Sequence, residues 1–136
     1  MKNIRISLII ISVLSLGIFS CTGQQTESQS AYKDVNVEQA SKLMKEKKNL
    51  LVLDVRTPGE VAQGKIEGAA VIDFQGATFN SNIDQLDKDQ PILVYCAVGG
   101  RSSRTMSILK DKGFKEVYNL SGGIQAWTGA GKPVVK

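Results

Sequence analysis

Apolar residues fall along this chain in short runs separated by polar and Gly-marked breaks, and the period changes from run to run. Leu50-Leu51-Val52-Leu53-Asp54-Val55 is almost continuously apolar, and so is Pro91-Ile92-Leu93-Val94-Tyr95. Such runs predict strands buried on both faces. Shorter strands are predicted at Tyr32 to Val35, Ala69 to Ile72 and Glu116 to Leu120. Between them the period lengthens. Val37, Ala40, Leu43 and Met44 recur at helical spacing, behind Asn36 and Gln39 placed as a capping box. Thr57-Pro58-Gly59-Glu60 is a compact helix start, with Gly64 marking its end. Phe79, Ile83 and Leu86 predict a short helix, and Asp87-Lys88-Asp89 a turn. A further helix runs through Ser102 to Lys110 and ends at Gly113, with Phe114 placed to fold back on it. Ile124 and Trp127 mark a last short segment after Gly122-Gly123. There is no internal repeat.

Alternating strands and helices predict an α/β fold, a central parallel sheet flanked by helices on both faces. Ligands in such folds bind beyond the C-terminal ends of the strands. Cys96 stands at such an end. It closes the Pro91 to Tyr95 run and opens the small-residue loop Cys96-Ala97-Val98-Gly99-Gly100-Arg101. Unpaired backbone N–H groups and the positive end of the following helix favour a thiolate there, the nucleophilic form of cysteine. The plain alternative is a buried apolar cysteine at the end of a core strand.

The first thirty residues follow a different pattern. Lys2 and Arg5 precede an apolar stretch, Ile6 to Phe19, too short to be read as a spanning helix. The stretch ends in Ile18-Phe19-Ser20-Cys21, similar to a bacterial lipobox, which implies cleavage after Ser20 and lipid on Cys21; an ordinary signal peptide or an uncleaved anchor is the alternative. Thr22 to Ser30 is rich in Gln, Ser and Thr and predicts a solvated tether. The expected organisation is a lipoprotein signal peptide over 1–20, a tether over 21–30 and one small domain over 31–136. The protein would be exported and held on the cell envelope by its lipid, facing the periplasm.

Charge changes this picture little. The whole chain carries +4, and losing Lys2 and Arg5 with the signal leaves +2. With no basic patch interleaved with aromatics, nucleic-acid binding has no support. Lys45, Lys47 and Lys48 sit at a helix end, where cations suit the dipole. Cys21 and Cys96 are the two cysteines of the chain, so a lipidated Cys21 leaves Cys96 without a disulfide partner. Histidine is absent. That excludes Cys–His and Ser–His–Asp catalysis and any His-ligated metal, so the nucleophile must be activated by its electrostatic setting.

Several separated segments together resemble the rhodanese-like domain family. Asp54-Val55-Arg56-Thr57-Pro58-Gly59-Glu60 is similar to its first signature and Gly64-Lys65-Ile66-Glu67-Gly68-Ala69 to the next. Tyr95-Cys96 through Gly99-Gly100-Arg101-Ser102 resembles its active-site loop. Gly113-Phe114, Val117-Tyr118, Gly122-Gly123-Ile124 and Ala126-Trp127 resemble its C-terminal pattern. The resemblance spans about Tyr32 to Pro133. It implies a rhodanese-like fold and cofactor-free sulfur transfer, from a small-molecule donor such as thiosulfate to a thiol or cyanide acceptor, through a persulfide on Cys96. It also implies a substrate-binding loop of Ala97, Val98, Gly99, Gly100 and Arg101, braced by Asp54 and Arg56. A curled loop fits this chemistry physically, because its N–H groups form an anion-binding nest and glycines allow the unusual backbone angles. Arg101 either adds positive charge or closes the loop toward solvent. For Asp54 and Arg56 the residues themselves read as a structural pair. Arg104 reads as solvated and Trp127 as a core or lid anchor.

The chain departs from the family pattern at Val61, where an aromatic is usual, at Lys65 in place of His and at Glu67 in place of Pro. Ala97 and Val98 offer no charge to select thiosulfate, which favours a protein persulfide or a small apolar thiol as donor. Cys–Arg phosphatase and arsenate reductase loops hold one more residue than the four between Cys96 and Arg101. The rival of a different class is a redox-sensing or protein-interaction module that uses Cys96 without turnover.

Overall fold

The computed structural model describes residues 31–136. The expected signal peptide, Cys21 and the expected tether lie outside the described residues. The described order is β1 (Ala31–Val35), α1 (Val37–Glu46), β2 (Leu51–Asp54), α2 (Pro58–Val61), β3 (Ala70–Val71), α3 (Phe79–Asp84), β4 (Ile92–Tyr95), α4 (Gly100–Asp111), β5 (Glu116–Leu120) and α5 (Gly123–Gly129). The strands form one five-stranded sheet in the order β1-β5-β4-β2-β3. Every pairing is parallel.

Side chains alternate across each strand, and the alternation sorts the core into two layers. Val52 on β2, Leu93 and Tyr95 on β4, and Tyr118 and Leu120 on β5 face one way, against Val37 and Ala40 of α1 and Ile124 and Trp127 of α5. Leu53, Ile92, Val94 and Val117 face the other way, against Phe79 and Ile83 of α3 and Leu109 of α4. Helices therefore cover both faces, as the sequence predicts. Cys96 belongs to the second layer, where it follows Val94 at the same pitch. Strand β4 lies in the middle of the sheet and is fully buried, so its end is fixed from both sides.

Local signals set the element ends. Asn36 caps α1 with Gln39 closing the box, and Thr57 caps α2 with Glu60 closing its own. Helix α4 ends in paired bonds, Gly113 N–H to the Lys110 carbonyl and Phe114 N–H to that of Leu109, with Gly113 at φ +85°. This Schellman geometry turns Phe114 into the core, where it is fully buried. Two elements are shorter than their patterns suggest. Helix α2 stops at Val61 rather than at Gly64, and β3 keeps only two ladder residues, because it lies at the sheet edge with both exposed. The C-terminal segment returns to this region: Val135 and Lys65 exchange backbone bonds, and Trp127 Nε1 donates to the Pro133 carbonyl at 2.9 Å.

Candidate active site

Strand β4 delivers Cys96 to the C-terminal edge of the sheet, and the loop that follows wraps its sulfur. Gly99 caps α4 at φ +106°, a left-handed conformation that glycine adopts without strain. That turn aims the Gly99 N–H back at Cys96 Sγ, 3.1 Å away. The Ser102 hydroxyl lies 3.4 Å from the same sulfur and 3.1 Å from the Gly99 carbonyl. Its single proton can serve one of them at a time, and a charged sulfur is the stronger acceptor. Burial pushes the Cys96 thiol up. The Ser102 hydroxyl and the amides of Ser102, Gly99 and Val98 outweigh burial and hold it below its ordinary value. Only 1% of Cys96 is exposed, whereas Val98 is 59% exposed.

The other side of the loop is held by α5. Ile124 N–H donates to the Cys96 carbonyl at 2.9 Å, and Gln125 N–H to the Ala97 carbonyl at 3.1 Å. These bonds turn the two carbonyls away from the sulfur. The approach is close enough to exclude a side chain at Gly123: a Cβ there would stand 2.3 Å from the Cys96 carbonyl oxygen and 2.7 Å from the Ala97 carbonyl. Gly123 also sits at φ +56°.

Arg101 has Glu60 as its main partner and Cys96 as a lesser one, and both favour its charged form. Its two terminal nitrogens donate to the two carboxylate oxygens of Glu60, at 2.8 and 2.6 Å. The Arg101 bonds hold the Glu60 carboxyl down at about 2 against partial burial, helped by bonds from Thr57. Glu60 thus does two jobs, capping α2 through Thr57 and clasping the loop arginine.

Asp54 and Arg56 form a buried pair beside this clasp. Arg56 Nε and Nη2 reach the Asp54 carboxylate at 2.6 to 3.1 Å. Nη2 also donates to the Gly64 carbonyl at 2.8 Å and Nη1 to the Glu60 carbonyl at 3.2 Å. The guanidinium lies 5.6 Å from the Tyr95 ring centroid. The expected role of this pair is to brace the active-site loop, and its contacts with that loop are indirect. Its bonds go to α2 and the Gly64 turn, and it meets the loop through Glu60 and Arg101 and through the ring of Tyr95, the residue before Cys96. The reason is geometric: both residues leave the end of β2 on the side of α2.

Cys96, Ala97, Val98, Gly99, Gly100 and Arg101 thus lie in one loop, with Asp54 and Arg56 one contact removed. Arg104 is exposed and Trp127 is a core residue. Lys65 Nζ donates to the Ala69 carbonyl at 2.8 Å, a local tie away from the sulfur. Sequence reasoning did not single out Ser102, Gly123 or the second role of Glu60. A hydroxyl one residue after the loop arginine was a usable signal for Ser102; the other two depend on contacts distant in sequence. Among the described residues no three His, Cys, Asp or Glu side chains are grouped to hold a metal.

Residues 36–130 match the family model described as the rhodanese-like domain. A protein of Allochromatium vinosum named sulfurtransferase is 32% identical over 102 residues, covering 75% of this chain and 94% of its own. The thiosulfate sulfurtransferase GlpE of Pseudomonas putida is 36% identical over 98 residues, covering 72% and 86%. The crystal structure of a rhodanese-related protein from Thermoplasma volcanium superposes with a TM-score of 0.65 at 33% identity, covering 76% of this chain and 98% of that one.

Proposed function

Since the chain belongs to the rhodanese-like domain family, we propose that it is a sulfurtransferase working through a persulfide on Cys96. The observation that carries this reading is the sulfur itself, at the end of the central strand with the Gly99 N–H and the Ser102 hydroxyl directed at it. A thiolate so held attacks the terminal sulfur of thiosulfate. The Cys96 Sγ–S bond forms, the S–S bond of the donor breaks, and sulfite leaves with the bonding pair. The acceptor, a thiolate or cyanide, then attacks the outer persulfide sulfur and leaves Cys96 as thiolate again. No net oxidation occurs and no proton base is required, in keeping with a chain that has no histidine. Charge on sulfur is stabilised by fixed dipoles in both resting states of the cycle. The names of the relatives support sulfur transfer in general and thiosulfate as one donor.

Incubation with thiosulfate followed by intact-mass measurement tests the reading. One sulfur atom, about 32 Da, is gained on Cys96. Cys96→Ser loses loading and turnover together, and full activity in that variant overturns the reading. The second reading, a redox-sensing module, differs in that Cys96 would be oxidised without taking up a donor sulfur, and the same mass measurement separates the two. The Ile18-Phe19-Ser20-Cys21 junction supports placement on the cell envelope, with lipid on Cys21 and residues 22–30 as spacer toward the periplasm.

A further inference from the structure

From the clasp between Glu60 and Arg101 we infer that Glu60 is a specificity-determining residue, which cancels the charge of the loop arginine and so turns the site toward singly charged sulfur donors and away from doubly charged thiosulfate. The inference rests on the sulfurtransferase reading and adds the donor class to it.

The charges around the sulfur are few. Arg101 is the one charged side chain between Cys96 and Ser103. Left alone, its guanidinium beside a thiolate would make a net-neutral site, with no net repulsion of an approaching anion. It is not alone: both terminal nitrogens are taken up by the two Glu60 oxygens in a two-pronged pair. Glu60 is itself fixed by the Thr57 N–H at 3.0 Å and the Thr57 hydroxyl at 2.9 Å. Arg56 and Asp54 pin the Glu60 backbone from behind and are neutral as a pair. The thiolate, Arg101 and Glu60 therefore sum to one negative charge. A dianion meets roughly twice the repulsion that a monoanion meets, at a site only partly open to screening. The persulfide anion of a thiol-bearing molecule carries a single charge. Its transfer balances: Cys96 Sγ bonds the outer sulfur, the donor S–S bond breaks, and the donor thiolate leaves with the pair. The exposed, uncharged Val98 at the loop tip suits such a carrier.

Two donors with the same bond to break separate charge from chemistry. Thiosulfate is a dianion that releases sulfite, and methanethiosulfonate is a monoanion that releases methanesulfinate. The readout is the ratio of their kcat/KM values, thiosulfate over methanethiosulfonate. Glu60→Gln raises this ratio about fivefold, through KM for thiosulfate, and the gain fades at high salt. Glu60→Asp, which keeps the charge, leaves the ratio near that of the wild type. Arg101→Gln lowers it, because Glu60 is then uncompensated. The double variant, neutral at both positions, returns it to the wild-type value. If Arg101 bound thiosulfate directly, the double variant would stay as low as Arg101→Gln, and the inference would be overturned. A ratio indifferent to Glu60→Gln overturns it equally. Should Glu60→Gln not fold, the wild-type ratio itself decides: a net-negative site makes it rise with salt, and an arginine that bound thiosulfate directly would make it fall. A wild type that takes sulfur from neither donor is a separate result, which defeats the sulfurtransferase reading rather than the role of Glu60.

Discussion

At the scale of single residues, what a side chain does here follows from which neighbour it meets across the sequence. Cys96 was legible because its setting is local: a run of apolar residues, then glycines, then a helix. Ser102 was not legible in the same way, because nothing in a linear sequence says which way a helix-start hydroxyl turns. Its part in holding the thiolate gives a pH prediction. The thiolate is the active form, so the rate rises with pH through the Cys96 pKa, which lies below the ordinary thiol value. Ser102→Ala removes one stabilising donor and moves the rising limb of the profile upward, by about one pH unit. Activity falls about tenfold below the limb and is unchanged above it; iodoacetamide alkylation against pH shows the same displacement. A profile that does not move would mean that the hydroxyl serves the Gly99 carbonyl alone. Glu60 gives a second pH prediction. Its folded carboxyl lies near 2, below its ordinary value of 4.5. The stability it adds is present in full above about pH 4.5 and is lost as pH falls toward 2. Urea unfolding of wild type and Glu60→Gln should differ at pH 7 and converge near pH 2.

At the scale of elements, most signals contained within one turn are legible in the sequence and those shared between elements are not. The two capping boxes and the Gly113-Phe114 helix end each involve residues a few positions apart, so the spacing alone reveals them. The bonds from α5 to the loop after β4 join residues 28 positions apart, and Gly122-Gly123 reads in sequence only as a break. The contact makes Gly123 more demanding than any other glycine described. Gly123→Ala forces a Cβ onto the Cys96 and Ala97 carbonyls at a positive φ. The expected cost is about 2–4 kcal/mol of stability, with sulfur transfer lost even where the fold survives, because the loop amides no longer converge on the sulfur. Gly59→Ala is the contrast. It adds a Cβ within α2 with nothing inside 4 Å and no positive φ, so it is neutral or stabilising by about 0.5 kcal/mol. Chemical denaturation of both variants, beside their thiosulfate turnover, checks the pair.

At the scale of the whole molecule, the alternation of strand and helix made the class of fold legible, while the order of the strands was not. Two-sided burial announces itself in continuous apolar runs such as Leu50 to Leu53 and Ile92 to Tyr95, but such runs carry no record of which strand lies beside which. The N-terminal reading belongs to this scale too. If Cys21 carries lipid, the wild type partitions with membranes, and Cys21→Ala leaves the domain in the soluble fraction with its turnover intact; a soluble wild type would count against the anchor. The strand order has one more consequence. The fifth strand lies between the first and the fourth, with Ala31 to Val35 in register against Glu116 to Leu120 and, among the described residues, no second strand beside the first. The first strand therefore waits for almost the last one. While the chain is being made, or is threading through any pore, the sheet has a gap at its second place, and the opening segment has no neighbour until residue 120 has emerged. The thiol loop, whose carbonyls are held by residues 124 and 125, waits slightly longer. A chain cut at residue 113 should consequently show no cooperative unfolding and little protected backbone in hydrogen exchange. Folding and the assembly of the reactive centre are in this way deferred to the same late moment, so a partly synthesised chain carries an ordinary cysteine rather than an activated one.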